Sequence, residues 1–252
     1  MSIEKRANLK IICSSLALFS LWLTVAILPR PMTLRLNLAA LTSLELERLL
    51  GVDAARQMQP DLSAARLARR PLLGHRFQTE LNLVAVPERT WGATPEDAYQ
   101  LRQQRAQLEG AGLSFLGTFA LDALTGQRFL SAYLSTGKNV LVALRWSEAR
   151  KQDTPAVQLI SWLRDELAGT QALVSWNTRL TPTLEGSPAV VVKEYPDLDP
   201  PQLLGVHLTR VKNHGKAESV SSLLEFESIF QRLWEANIVA WKARGVLMEN
   251  RK

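Results

Sequence analysis

Ile11 to Leu28 is an unbroken run of 18 uncharged residues, flanked by Lys10 on one side and Pro29-Arg30-Pro31 on the other. As a helix the run is about 27 Å long, close to the ~30 Å hydrocarbon thickness of a bilayer. Ten of its residues are Leu, Ile, Val or Phe, and together they favour insertion by something on the order of 3 to 6 kcal/mol. Ser14, Ser15, Ser20 and Thr24 reduce that margin without reversing it, because helical hydroxyls can bond back to a preceding carbonyl. A cleaved secretory signal would have a shorter apolar stretch and a small-x-small site, whereas this one runs into Ile27-Leu28-Pro29-Arg30-Pro31. A lipoprotein signal is a poor match, since Cys13 follows Ile11-Ile12 at the start of the run. A buried core helix would be equally apolar, but Trp22 near the outer end and basic residues at both ends fit a span better. Residues 1–31 are therefore expected to be a cytoplasmic stub and a single retained transmembrane helix.

Orientation follows from the basic residues nearest the span. Lys5, Arg6 and Lys10 crowd the ten residues before it, while the twenty after it hold only Arg30, Arg35 and Arg48. This density places the amino terminus in the cytoplasm and the bulk of the chain outside an inner or plasma membrane. The formal net charge of +6 is concentrated near that anchor. The first thirty residues hold Lys5, Arg6, Lys10 and Arg30 against Glu4, a net +3, which leaves +3 for the rest. A nearly balanced body with no recognition motif argues against a nucleic-acid partner. With 46% apolar and 21% charged residues, disordered and collagen-like classes are excluded. One cysteine excludes an internal disulfide.

Beyond the span, Thr42-Ser43-Leu44-Glu45 has the form of a capping box, and a second short helix is expected from Asp61 to Arg70, stopped by Pro71. Residues 32–76 thus read as a helical connector. Residues 77–252 read as an α+β globular domain. Thr94-Pro95-Glu96-Asp97 supplies an N-cap, a first-turn proline and acids facing the positive helix end; this helix is expected to run to Glu109. Asp153-Thr154-Pro155 repeats the grammar and predicts a helix to Ala168. Between them the period changes to 2: Leu113 to Leu121, Phe129 to Leu134 and Val140 to Trp146 form an antiparallel meander joined by tight turns. Leu81–Val86, Ala172–Leu180, Ala189–Tyr195 and Leu204–Leu208 are further expected strands. The last helix starts near Ser222 and ends at Gly245, with Leu223, Phe226, Phe230, Leu233, Trp234, Ile238 and Trp241 along one side. The fold class expected is one antiparallel sheet of six or seven strands, covered by amphipathic helices starting at Pro95, Pro155 and Ser222.

The sequence carries no Walker-type loop, no G-x-G-x-x-G, no G-x-S-x-G and no zinc spacing, so no metal or cofactor is expected. His207 should point away from the face buried by Val206 and Leu208, and His214 reads as a loop residue. Ser131 and Ser187, with Asp122, Asp197 and Asp199, supply the residue types of a nucleophile and its orienter, without a spacing that unites them. Glu194, Asp197 and Asp199 among prolines read as a solvated turn rather than a calcium loop. Two candidate contact surfaces remain. Arg66, Arg69, Arg70 and Arg76, beside His75, form the one concentrated basic patch, a solvated face or a contact for anionic headgroups or an acidic partner. The stripe of the final helix is expected to pack on the sheet as core, with Trp234 and Trp241 marking the alternative, a docking element. The function expected is a membrane-anchored, non-enzymatic accessory or assembly factor for another membrane or envelope protein. One alternative is a small-molecule or lipid-binding domain with a pocket lined by Phe129, Trp146 and Trp176. The other is a hydrolase with His207 or His214 as base.

Overall fold

Leu34 and Leu36 alternate with Arg35, and this short leucine-rich run is a strand rather than part of a helical connector. The computed structural model describes residues 33–121, 128–137, 139–148, 155–167, 169–178 and 184–249, all within one unit, Thr33–Lys252. The span expected at 11–28 lies outside the described residues; among the described residues no helix is long and apolar enough to cross a membrane. The described chain begins with β1 (Thr33–Asn37), a 3-10 turn (Leu38–Ala40), α1 (Ser43–Leu50), α2 (Val52–Gln57), α3 (Gln59–Leu67) and β2 (Leu73–Gln78). The capping box forms as expected: Thr42 Oγ1 accepts from Glu45 N–H at 3.2 Å while Glu45 Oε2 accepts from Thr42 N–H at 2.9 Å. The helical reading of 32–76 is corrected at both ends. β1 and β2 pair antiparallel, and β1 also takes β10 (Leu247–Glu249), giving a small sheet in the order β10-β1-β2.

The meander forms as its alternation predicts. β3 (Leu83–Ala85), β4 (Ser114–Leu121), β5 (Phe129–Leu134), β6 (Leu141–Trp146), β7 (Ala156–Leu167), β8 (Thr170–Trp176) and β9 (Val190–Glu194) build a seven-stranded sheet in chain order. It is mostly antiparallel. Only β8 and β9 run parallel, across a connection long enough for a crossover. The expectation of one wholly antiparallel sheet is therefore corrected to two sheets, one of them mixed.

Helices cover both faces of the large sheet. α4 (Pro95–Gly110) and α5 (Pro200–His214) lie on one face, and α6 (Leu223–Ala243) lies on the other. This two-sided burial explains why the segment after Pro155 resembles a helix in sequence. Val157 and Leu159 pack toward α4 and α5, while Ala156 and Ile160 pack toward α6. Between Ala156 and Leu163 only Gln158 and Ser161 are polar, both buried, so the strand shows no clean alternation and reads equally well as one face of a helix. Pro155 therefore precedes a strand, not a helix. The strand expected at Leu204–Leu208 is conversely part of α5, whose N-cap Asp199 accepts from Gln202 N–H at 2.9 Å ahead of Pro200-Pro201. The alternation of Leu204, Val206 and Leu208 was accidental. The buried positions are Pro200, Leu203, His207, Arg210 and Val211, a helical spacing disguised by two polar members.

α4 begins at Thr94 as expected, with Thr94 Oγ1 accepting from Asp97 N–H at 3.1 Å. Gly92 leads into it at φ +121°, where a Cβ would lie 2.5 Å from the backbone nitrogen of Ala98; a side chain has no room there. Thr94→Ala is expected to lower stability by about 1 kcal/mol, read as a shifted denaturant midpoint at unchanged slope.

The stripe along α6 is interior. Phe226, Ile229, Phe230 and Leu233 pack on the large sheet, while Ile238 and Trp241 pack with Leu34, Leu36, Leu46 and Leu62 around the small one. One helix thus anchors two cores, each large side chain contributing roughly 1.5 to 3 kcal/mol. Phe129 and Trp146 stack at 5.8 Å on the α4 side, whereas Trp176 is buried on the α6 side. The three rings do not line a common cavity.

Candidate functional site

Helical spacing in α5 sends His207 and Arg210 against the large sheet, opposite Ser161 of β7 and Ser175 of β8. His207, Ser161 and Ser175 are all 0% exposed. Nε2 of His207 lies 3.0 Å from Ser161 Oγ, and Nδ1 lies 2.8 Å from Ser175 Oγ. The neighbouring bonds assign the protons. Ser161 donates its hydroxyl to Asn139 O at 2.8 Å, so its oxygen accepts from His207 Nε2–H. Arg210 donates to Ser175 Oγ at 2.6 Å, and Ser175 donates in turn to Nδ1. The chain Arg210, Ser175, His207, Ser161, Asn139 is complete with a neutral imidazole, and this tautomer follows from the network. Arg210 also donates to Val174 O and Val191 O at 2.8 and 3.0 Å, tying β8 to β9.

Burial and the adjacent Arg210 charge push the His207 pKa down to about 3. The expectation that His207 points outward is corrected: it is among the most buried polar groups of the fold. A serine does reach the imidazole, the hydroxyl-to-base contact that a hydrolase requires. The contact is sealed. With no exposed atom in either serine or the histidine, the network clamps α5 to the sheet. His214 ends α5, its Nδ1 2.9 Å from Arg210 O.

On the same face Arg105 of α4 donates to Ser131 Oγ at 2.9 Å, and Ser131 shares a 3.1 Å hydrogen bond with Thr118. Ser187 receives the Ala189 amide at 3.2 Å, and Asp199 caps α5. Asp122 lies outside the described residues. Among the described residues, no group of three or more His, Cys, Asp or Glu is placed to hold a metal ion.

A second buried constellation joins α1 to the end of α6. Glu45, 1% exposed, accepts two bonds from Arg244, at 2.9 and 2.7 Å, besides the amides of Thr42 and Glu185, both at 2.9 Å. Burial pushes the Glu45 carboxyl up, but the Arg244 fork and the two amides outweigh it and hold the group below its ordinary value. The local chain explains how Arg244 arrives. Gly245 at φ +71° ends α6 with bonds from Gly245 N–H to Lys242 O and from Val246 N–H to Trp241 O, a Schellman ending that fixes the residue before the glycine.

The sequence candidates are distributed differently from the expectation. Trp241 is 2% exposed and donates Nε1–H to Glu185 O at 2.9 Å; Trp234 is half-buried against it, edge to face at 5.5 Å. Arg66 donates to Ala39 O and Leu41 O at 3.0 and 2.7 Å, securing the turn before α1. Arg69, at φ +50°, and Arg70 form the exposed ending of α3, and Arg76 is exposed on β2 opposite Arg35. Ser161, Ser175, Arg210 and the Glu45–Arg244 pair were not foreseen. Reading Asp199-Pro200-Pro201-Gln202 as a helix start would have placed His207 and Arg210 on one face.

The surface offers a groove of about 550 Å³ between the approach to β3 and the flank of α6, with Leu81, Leu83 and Leu224 beside Glu80, Glu227 and Glu235. A smaller hollow of about 410 Å³ at the end of α5 collects Arg164, Lys212 and Lys216. Compared with known proteins, the chain matches no family model, no curated protein and no solved structure.

Proposed function

We propose that this chain is a membrane-tethered accessory protein whose extracytoplasmic α+β domain acts by binding another membrane or envelope protein. The observation that carries the reading is the outer side of α6. Its aromatic stripe is consumed by two cores, yet Leu224 and Val239 on the same helix remain 77% and 68% exposed, and Leu224 borders the 550 Å³ groove. Large apolar side chains held outward on a rigid helix, beside a groove, are the material of a protein contact. The apolar run at 11–28 supplies the tether, and the basic residues before it set the orientation. The buried polar clusters serve a different purpose, as internal ties that keep α5 and α6 in fixed positions.

The test is site-specific photocrosslinking in intact cells. A photoreactive residue at Leu224 or Val239 of the full-length protein is expected to give discrete adducts in the membrane fraction, and one at exposed Arg102 of α4 none. Adducts no different from those at Arg102, or full-length protein released by an alkaline wash, would overturn the proposal.

A further inference from the structure

β3 is the outermost strand of the large sheet. Val86 N–H bonds to Thr118 O at 3.0 Å, so by antiparallel alternation Val84 also faces β4, and Leu83 and Ala85 direct their N–H and C=O groups away from the sheet. On that side no described strand pairs with them. Such an edge accepts a further strand unless it is blocked, and β3 carries neither proline nor a charged residue. Just upstream, Leu81 N–H donates to Gln231 Oε1 at 3.0 Å, which fixes the chain against α6 and makes the groove a built feature. Leu83 joins the cluster under α6, so an added strand would send every second side chain toward Leu224 and the acidic flank of that helix.

The charge around this edge selects the partner. Glu80, Glu227 and Glu235 line the groove with no Lys or Arg among its lining residues. Glu235 accepts one bond, from Gln231 at 2.9 Å, and Glu80 and Glu227 make no ion pair among the described residues. We propose that the free edge of β3 and the flank of α6 together form a strand-addition site for an extended peptide segment of a partner, with Lys or Arg alternating with apolar residues. This inference rests on the protein-binding reading above and specifies the partner's chemistry. Backbone bonds to Leu83 and Ala85 hold the segment, its cations on the α6 side meet the three carboxylates, and its apolar residues on the opposite face lie beside exposed Val84.

The probe is a fluorescent peptide of alternating Lys and Val, titrated into the full-length protein in neutral detergent and followed by anisotropy. Two controls accompany it: a twin with Glu in place of Lys, and a twin with alternate amides N-methylated. The basic peptide is expected to bind, the acidic twin and the methylated twin at least about tenfold more weakly. The combined variant Glu80→Gln, Glu227→Gln, Glu235→Gln, with an unchanged melting curve, is expected to lose about tenfold in affinity, as three exposed pairs would, and that difference shrinks as salt is raised. Equal binding of the acidic twin, equal binding by the triple variant, or no binding of the basic peptide overturns the site. Displacement of the peptide by self-association of the protein overturns the assignment to a different partner. If crosslinks at Leu224 persist while the basic peptide fails, the strand-addition chemistry falls and the protein-binding reading stands; if both vanish, both fall.

Discussion

Replacing Arg244 by methionine is expected to lower stability by about 3 kcal/mol or more, because it leaves a carboxylate at 1% exposure without its cation. The pair closes the chain on itself across 199 residues, joining α1 to the end of α6, so its loss loosens the small sheet and the carboxyl-terminal strand together. The double variant Arg244→Met, Glu45→Met removes the buried charge as well and is expected to recover part of the loss; a double-mutant cycle from denaturant midpoints measures the coupling. The pH dependence has a definite sign. The folded value of Glu45 is depressed, so its contribution is present above the ordinary carboxylate range and disappears as pH falls through the depressed value. With Arg244 gone, burial acts with less opposition, and the gap between variant and wild type should narrow as pH falls through the carboxylate range and Glu45 protonates. A gap independent of pH would mean that lost packing of the Arg244 stem, not the carboxylate, sets the cost.

The small sheet held by that pair was hidden in the sequence for a physical reason. β1 is only five residues long, so the alternation of Leu34 and Leu36 about Arg35 is too short to announce a strand, and its partners β2 and β10 lie far along the chain. The capping boxes and tight turns, by contrast, are local chemistry. Thr42 and Glu45, Thr94 and Pro95, and Ser135 to Val140 specify their own geometry within a few residues, and those elements form where the sequence places them. β7 and α5 show the opposite limit. In β7 burial on both sides put apolar residues on both faces, with Gln158 and Ser161 buried among them, and in α5 the buried side included His207 and Arg210, so a hydrophobic pattern could find neither. The same concealment applies to the site. His207 was legible as a histidine, but its two serines come from strands brought together by tertiary pairing. The groove is legible only once β3 is known to be an edge and α6 is known to turn Leu224 outward.

Acidification should destabilise this fold through His207 well before most carboxylates titrate. The folded pKa of about 3 lies below the unfolded value of about 6.5, so the unfolded chain binds the proton first. The stabilising contribution is therefore complete above about pH 6.5 and falls by about 1.4 kcal/mol per pH unit until the folded imidazole itself protonates. By pH 5 the loss from this group alone is about 2 kcal/mol. The network shows why the proton is resisted: a second N–H at Nδ1 would face the Ser175 hydroxyl that now donates to it, beside Arg210, in a site with no exposed atom. His207→Leu removes the titration but strands Ser175 as an unused buried donor, and is expected to cost about 1 to 3 kcal/mol at pH 7.5. Because the wild type weakens on acidification and the variant lacks that term, the two stability curves should converge toward pH 5. Parallel curves over this interval, measured by denaturant unfolding of the full-length proteins, would show that the imidazole is already solvated in the folded state and that the serine–histidine–arginine clamp is open.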